Sequence, residues 1–156
     1  MSQVVSAYAV RSELLDRLAE MIRKKDYQSF WTTLNSEAVA TEPAYSYSGT
    51  VLSTLLELLE EKGWTPVIDD GATPATVLAE GEVGLVLCCQ QADADEGLSF
   101  LRSLTLTDAQ LVAYHEEFWG EEWDEAVPAL REALSYIETT LALVPQRGDW
   151  ALLFIG

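Results

Sequence analysis

Positive charge is scarce in this chain. Its 156 residues hold 9 Lys and Arg against 26 Asp and Glu, which gives a formal net charge of −17. Binding to a nucleic-acid backbone or to an anionic membrane needs clustered cations that replace counterions. We therefore expect neither nucleic acid nor a membrane as a partner. A basic protein would be steered to such a surface, although a solvated face that serves solubility explains the same charge.

Long apolar runs and cysteine are also rare. Every apolar run is interrupted by Glu, Gly or Gln, well short of the roughly 18 residues that span a bilayer. Residues 1–10 have neither the basic stretch nor the small-residue cleavage site of a signal peptide. Cys88 and Cys89 are adjacent, so on a strand they face opposite ways and a disulfide between them needs a strained turn. These features predict a cytoplasmic protein with two reduced thiols.

Motifs for metals and cofactors are missing. One His and two adjacent Cys cannot supply the paired ligands of a structural zinc site. Residues 93–104 depart from a calcium loop, because Gly97 comes one place early and Leu104 stands where the bidentate Glu is needed. Neither a phosphate-binding loop with Lys nor a Gly-rich dinucleotide fingerprint is present. We predict no metal and no cofactor.

The apolar patterns predict one domain over residues 1–156. The run 83–89 is apolar on both faces, which predicts a central strand covered on each side. We expect an α+β (or α/β) fold, with a small mixed sheet of about 3–5 strands covered by about 5–6 helices. Strands are predicted at 3–10, 64–68, 83–89 and 149–155, a turn at 69–71, a long loop at 36–48, and helices at 12–25, 27–35, 52–62, 93–104, 107–118 and 127–144, with 73–81 left open.

Several residues mark helix ends. Ser12 is a candidate N-cap, and Thr107 with Gln110 forms a capping box. Pro128 is compatible with the first turn of the longest helix, and Pro145 and Gly148 are expected to end it.

His115 is the only histidine and therefore the only imidazole that could act as a catalytic base. Cys88, Cys89 and the neighbouring Glu116 and Glu117 are its candidate partners. A lone histidine beside Tyr114 and Phe118 is more often a packing residue at a helix surface, and this interpretation is favoured. We assign no catalytic residue.

Residues 115–125 mix carboxylates with aromatic rings more densely than any other segment. Such a mixture suits the docking of a basic protein, because the rings supply burial and the charges supply steering. In the alternative, both tryptophans lie in the core and the acids favour the start of the next helix. The predicted binding residues are Trp119, Trp123, Glu116, Glu117, Glu121, Glu122 and Asp124.

Four features stand at the two ends of the chain: the first strand with its Ser-started helix, residues 107–111, the acidic Trp-containing segment, and the closing residues 147–156. In these features the chain resembles the uncharacterised bacterial YfbM-like family. In the centre only Gly63 and Trp64 match. The resemblance implies a strand–helix start and a helix–strand end, and it implies no activity, since the family has no established catalytic residues.

Charge and aromatics together predict a non-enzymatic interaction protein. Its sharpest form is a toxin-neutralising immunity protein or another acidic inhibitor of a basic protein. The alternative is a small enzyme that uses His115 with a carboxylate or thiol, and a third class is an oligomeric structural module.

Overall fold

The structure is a computed structural model that describes residues 3–65 and 73–156. The predicted α+β fold is confirmed, and the described residues form seven helices where five or six were expected. The elements are β1 (Val5–Val10), α1 (Ser12–Arg23), α2 (Tyr27–Glu37), β2 (Val39–Ala40), α3 (Gly49–Glu61), α4 (Thr73–Glu80), β3 (Leu85–Gln90), α5 (Gln91–Ser103), α6 (Asp108–Trp119), α7 (Ala126–Arg147) and β4 (Trp150–Ile155).

The four strands form one sheet in the order β2-β1-β4-β3. The first and last long strands pair at its centre, from Val5 opposite Ile155 to Val10 opposite Trp150. All three strand pairs of the described residues are antiparallel, so the expectation of a mixed sheet is wrong. Side-chain alternation reports which face of a strand is buried and carries no information on the direction of its neighbour.

The strand β3 lies at an edge of the sheet, not in its middle as predicted. Both of its faces are nevertheless covered, because Cys88 packs into one hydrophobic core while Leu87 and Cys89 pack into the other. The apolar pattern therefore indicated correctly that both faces are covered by helices. The inference from this cover to a central position in the sheet was wrong. Cys88 and Cys89 are buried thiols, as expected.

The sheet separates the helices into two layers. Trp150, Leu152 and Phe154 of β4 face a core shared with α1, α2 and α4, which we call the three-helix layer. The alternate residues Ala151, Leu153 and Ile155 face a core shared with α3, α5, α6 and α7, the four-helix layer. Burial of both faces of β4 gives the chain two apolar cores around one sheet.

The helix-end predictions had mixed outcomes. The capping box of α6 is confirmed, since the Gln110 amide donates to Thr107 Oγ1 at 3.2 Å and the Thr107 amide donates to Gln110 Oε1 at 2.8 Å. Ser12 is not an N-cap: α1 has Arg11 in that position, and the Ser12 amide donates to Asp149 Oδ2 at 2.9 Å. A carboxylate distant in sequence thus satisfies one of the orphan amides at the start of α1.

Other boundaries also differ from the prediction. Pro128 lies in the first turn of α7 and Gly148 is its C-cap, both as expected, but the helix continues through Pro145 to Arg147. A proline near a helix end removes one hydrogen bond without ending the helix at once. The predicted loop 36–48 contains the end of α2 and the two-residue strand β2. The predicted turn at 69–71 and most of the predicted strand at 64–68 lie outside the described residues.

Candidate protein-binding surface

The helix α6 presents apolar side chains to solvent. It begins at its capping box and ends at Gly120, whose φ of 74° is the left-handed conformation common after helices. Its buried residues are Leu111 and His115, while Phe118 and Trp119 are 41% and 44% exposed. Large exposed rings that lie side by side, with centroids 5.2 Å apart, mark a surface that could bury area against a partner.

Trp119 is exposed but held in place. Its indole Nε1 donates to Thr54 Oγ1 at 2.9 Å, and the Thr54 hydroxyl donates in turn to the Thr50 carbonyl at 2.9 Å. The ring is therefore tied by its polar edge to α3 while much of its apolar surface contacts water. A ring ordered before binding loses little conformational entropy when a partner covers it.

Trp123 has a different environment. It is half-buried, with its ring centroid 5.5 Å from that of His115 and 5.9 Å from that of Tyr47. These contacts fix the turn between α6 and α7. The two tryptophans predicted as equivalent binding residues thus lie on one corner of the molecule, but Trp119 offers more surface to a partner than Trp123 does.

The predicted carboxylates surround this corner. Glu117, Glu121, Glu122 and Asp124 are exposed, and Glu116 is half-buried. The salt bridges found among residues 3–65 and 73–156 include none of these five side chains. The alternative explanation, stabilisation of the next helix, applies to Glu125, which is the N-cap of α7, and to Asp124 before it. It does not extend further, because the first turn of α7 has no acidic residue and the N-cap makes no side-chain hydrogen bond.

Sequence reasoning missed two further carboxylates. Glu57 and Glu61 of α3 lie close enough to Tyr114 of α6 to act on its phenol. Burial, followed by the charges of Glu61, Glu57 and Glu117, raises the pKa of Tyr114 to about 12. The only signal in the sequence was the four-residue spacing of Glu57 and Glu61 on a helix whose leucines face elsewhere.

We name the combined feature the acidic–aromatic surface. It comprises the exposed or half-buried rings and the carboxylates that α3, α6 and the α6–α7 turn bring together. Its members are Glu57, Glu61, Tyr114, Glu116, Glu117, Phe118, Trp119, Glu121, Glu122, Trp123 and Asp124.

Both helical layers are acidic at a similar density. The helices of the four-helix layer contain eleven Asp and Glu and three Arg, and those of the three-helix layer, about half as long in total, contain five Asp and Glu and two Arg. Attraction of a cationic partner to the acidic–aromatic surface therefore depends on the carboxylates of that surface and not on a difference between the layers.

The Tyr114 phenol offers a direct test of this arrangement. We expect its pKa to fall towards 10 when Glu57 and Glu61 are both replaced by Gln, because two of the charges that oppose phenolate formation are removed. The fall should be partial, since burial is the larger cause. NMR titration of ring-labelled tyrosine measures it, with Tyr114→Phe identifying the resonance. An unchanged pKa would show that α3 and α6 do not share one acidic surface.

The raised pKa also has a consequence for stability. Because the folded protein holds the neutral phenol more tightly than the unfolded chain does, the associated stability is complete below pH 10 and declines as the pH rises towards 12.

His115 is buried behind this surface. It is 5% exposed, and its Nδ1 has no hydrogen-bond partner within the described residues. Neither a carboxylate nor a thiol therefore accepts or donates at that nitrogen in this part of the chain. The thiol of Cys88 packs into the other core, across the sheet from α6.

No family model, curated protein or solved structure matches this chain. The resemblance to the YfbM-like family therefore stays a prediction. Within residues 3–65 and 73–156 no helix is both long and apolar enough to cross a membrane. In the same residues no three His, Cys, Asp or Glu side chains are grouped as metal ligands.

Proposed function

We propose that this chain is a non-enzymatic, cytoplasmic interaction protein that captures a basic protein on its acidic–aromatic surface. An immunity protein that neutralises a basic toxin is the sharpest form of the proposal. The observation that carries it is the ordered and exposed indole of Trp119 beside Phe118, surrounded by carboxylates with no intramolecular ion pair among the described residues.

The two kinds of residue have separate roles in this proposal. Carboxylates raise the association rate of a cationic partner, and this effect weakens as salt screens the field. Exposed rings slow dissociation, because tryptophan buried at the centre of an interface is a typical hot spot. Lys or Arg side chains of the partner can also lie over the faces of Trp119 and Phe118 as cation–π contacts.

The experiment is capture of a partner from the native cell at low salt. We expect a basic protein to be recovered, and a toxin gene beside the gene for this chain would favour the immunity form. Replacing Trp119 by Ala should weaken binding of the purified partner by about 30-fold, the equivalent of a hot-spot loss of about 2 kcal/mol. The change should be mostly in the dissociation rate.

Charge reversal tests the carboxylates separately. The triple variant Glu121→Lys, Glu122→Lys, Asp124→Lys should lower the association rate and reduce its dependence on salt. The matched control is Glu80→Lys, Asp95→Lys, Glu96→Lys, which changes the net charge equally at exposed helical positions of α4 and α5. Equal losses in both triple variants would attribute the effect to net charge and reject this surface as the binding site.

The enzyme alternative has one observation in its favour, the buried and unpartnered Nδ1 of His115. The variant His115→Phe keeps a ring against Trp123 and removes both nitrogens. Under the binding proposal, capture of the partner persists in His115→Phe and falls in Trp119→Ala. The reverse pattern, with a cellular phenotype lost in His115→Phe alone, would favour catalysis.

A further inference from the structure

A cavity lies where several chain segments meet beside the short edge strand β2 and the end of β1. Its volume is about 370 Å³, and its walls come from the end of β1, the first turns of α1, the end of α2, β2 and the last residue of α7. This is within the size range of clefts that bind small molecules, roughly 300–1,000 Å³. The cavity is separate from the acidic–aromatic surface, which α3 and α6 form on the other side of the sheet.

The lining of this cavity is unusual for so acidic a chain. Three of the nine Lys and Arg residues, Arg11, Arg17 and Arg147, line it together. Two carboxylates, Glu13 and Glu37, are the acidic residues of the lining. Most of the surface repels anions, so a local concentration of guanidinium groups needs an explanation of its own.

One arginine is already satisfied. Arg17 makes a two-pronged ion pair with Glu37, with nitrogen–oxygen distances of 2.7 and 2.8 Å. The hydrogen bonds of this pair lower the pKa of Glu37 and raise that of Arg17. The pair is therefore charged, and its two half-exposed side chains form one wall of the cavity.

The other two arginines are uncommitted. Arg11 and Arg147 are exposed, and neither takes part in a salt bridge within residues 3–65 and 73–156. Apart from the Arg17–Glu37 pair, the cavity lining therefore holds two guanidinium groups and one carboxylate, that of Glu13. The first turn of α1 also lines the cavity, and the positive end of that helix is already met by Asp149, whose Oδ2 accepts from the Ser12 amide at 2.9 Å. Leu14 and Val39 add an apolar wall.

We propose that this cavity binds a small molecule through its phosphate group. The guanidinium groups of Arg11 and Arg147 form no salt bridge within residues 3–65 and 73–156, and their paired donors suit a dianionic oxyanion. Arg11 and Arg147 hold the phosphate, the Arg17–Glu37 pair lines one side of the cavity, and Leu14 with Val39 contacts the organic part of the ligand.

The test is calorimetric titration of the full chain with inorganic phosphate and with phenyl phosphate at constant ionic strength. Phenyl phosphate should bind several-fold more tightly, because its ring covers the apolar wall. The double variant Arg11→Gln, Arg147→Gln should lose about tenfold or more in affinity for both probes. Amide resonances of Ala9, Leu14 and Val39 should shift on titration of the wild-type chain, which locates the ligand independently.

The matched control is Lys24→Gln, Arg102→Gln, which removes two exposed cations that do not line the cavity. Its affinity should stay within about twofold of wild type, and circular dichroism should show that both double variants keep the native helix content. Absence of phosphate binding, shifts elsewhere on the chain, or equal losses in the two double variants would overturn the proposal. Equal affinities for the two probes would overturn the role of Leu14 and Val39.

Discussion

Replacing Gly84 by Ala is expected to destabilise the protein by about 3 kcal/mol or more, whereas the same change at Gly120 should cost about 1 kcal/mol. Both glycines have positive φ, 81° and 74°, so both variants pay for an L residue in the left-handed region. They differ in their surroundings. A Cβ on Gly84 would lie 2.3 Å from the Ile155 carbonyl oxygen, whereas a Cβ on Gly120 would have no atom within 4 Å.

The contact at Gly84 involves backbone, so no side-chain rotation relieves it. The Ile155 amide donates to the Gly84 carbonyl at 2.8 Å, and a shift of either strand would weaken this bond between the beginning of β3 and the end of β4. Urea denaturation of the two variants measures the difference in the free energy of unfolding. Equal costs at the two positions would contradict the close approach of Gly84 to β4.

The sequence predicted a buried strand around Gly84 but could not predict its pairing. The apolar run 83–89 gave the strand its correct location and its two covered faces. Its place at the edge of the sheet, and the register irregularity between Leu85 and Leu87, depend on contacts with β4 more than sixty residues later. The local apolar pattern of a strand does not determine which distant strand it pairs with.

Helix ends show the same limit. The capping box of α6 was predictable because Thr107 and Gln110 satisfy each other within four residues. The start of α1 was not, because Asp149 reaches it from the other end of the chain. The hydrogen-bond partner of a backbone amide can be predicted from the sequence when it lies within a few residues. When the partner is distant in sequence, it can be identified only from the structure.

The candidate surface was predictable in part for the same reason. The dense segment 115–125 identified its aromatic and acidic character, and its residues do lie on one corner. Sequence could not separate Trp119 from Trp123, whose exposure depends on Thr54 and Tyr47 respectively. It also missed Glu57 and Glu61, which reach the surface because α3 packs against α6.

Replacing Phe154 by Ala is expected to cost about 4 kcal/mol of unfolding free energy. Phe154 is 1% exposed, and its ring centroid lies 5.3 Å from that of Trp31 and 6.1 Å from those of Tyr8 and Phe30, all in edge-on arrangements. Truncation would leave a cavity at the centre of the three-helix layer and remove these ring contacts. Chemical denaturation measures the loss.

The matched control is Phe118→Ala, which removes the same side chain from the acidic–aromatic surface. Because Phe118 is 41% exposed, its truncation should cost less than about 1 kcal/mol of stability. It should nevertheless weaken capture of a basic partner. Truncation of Phe154 is thus expected to lower stability, whereas truncation of Phe118 is expected to lower binding with little loss of stability. A large stability loss in Phe118→Ala would show that this ring supports the fold. Phe118 would then have a structural role, and its exposure would no longer support a binding partner.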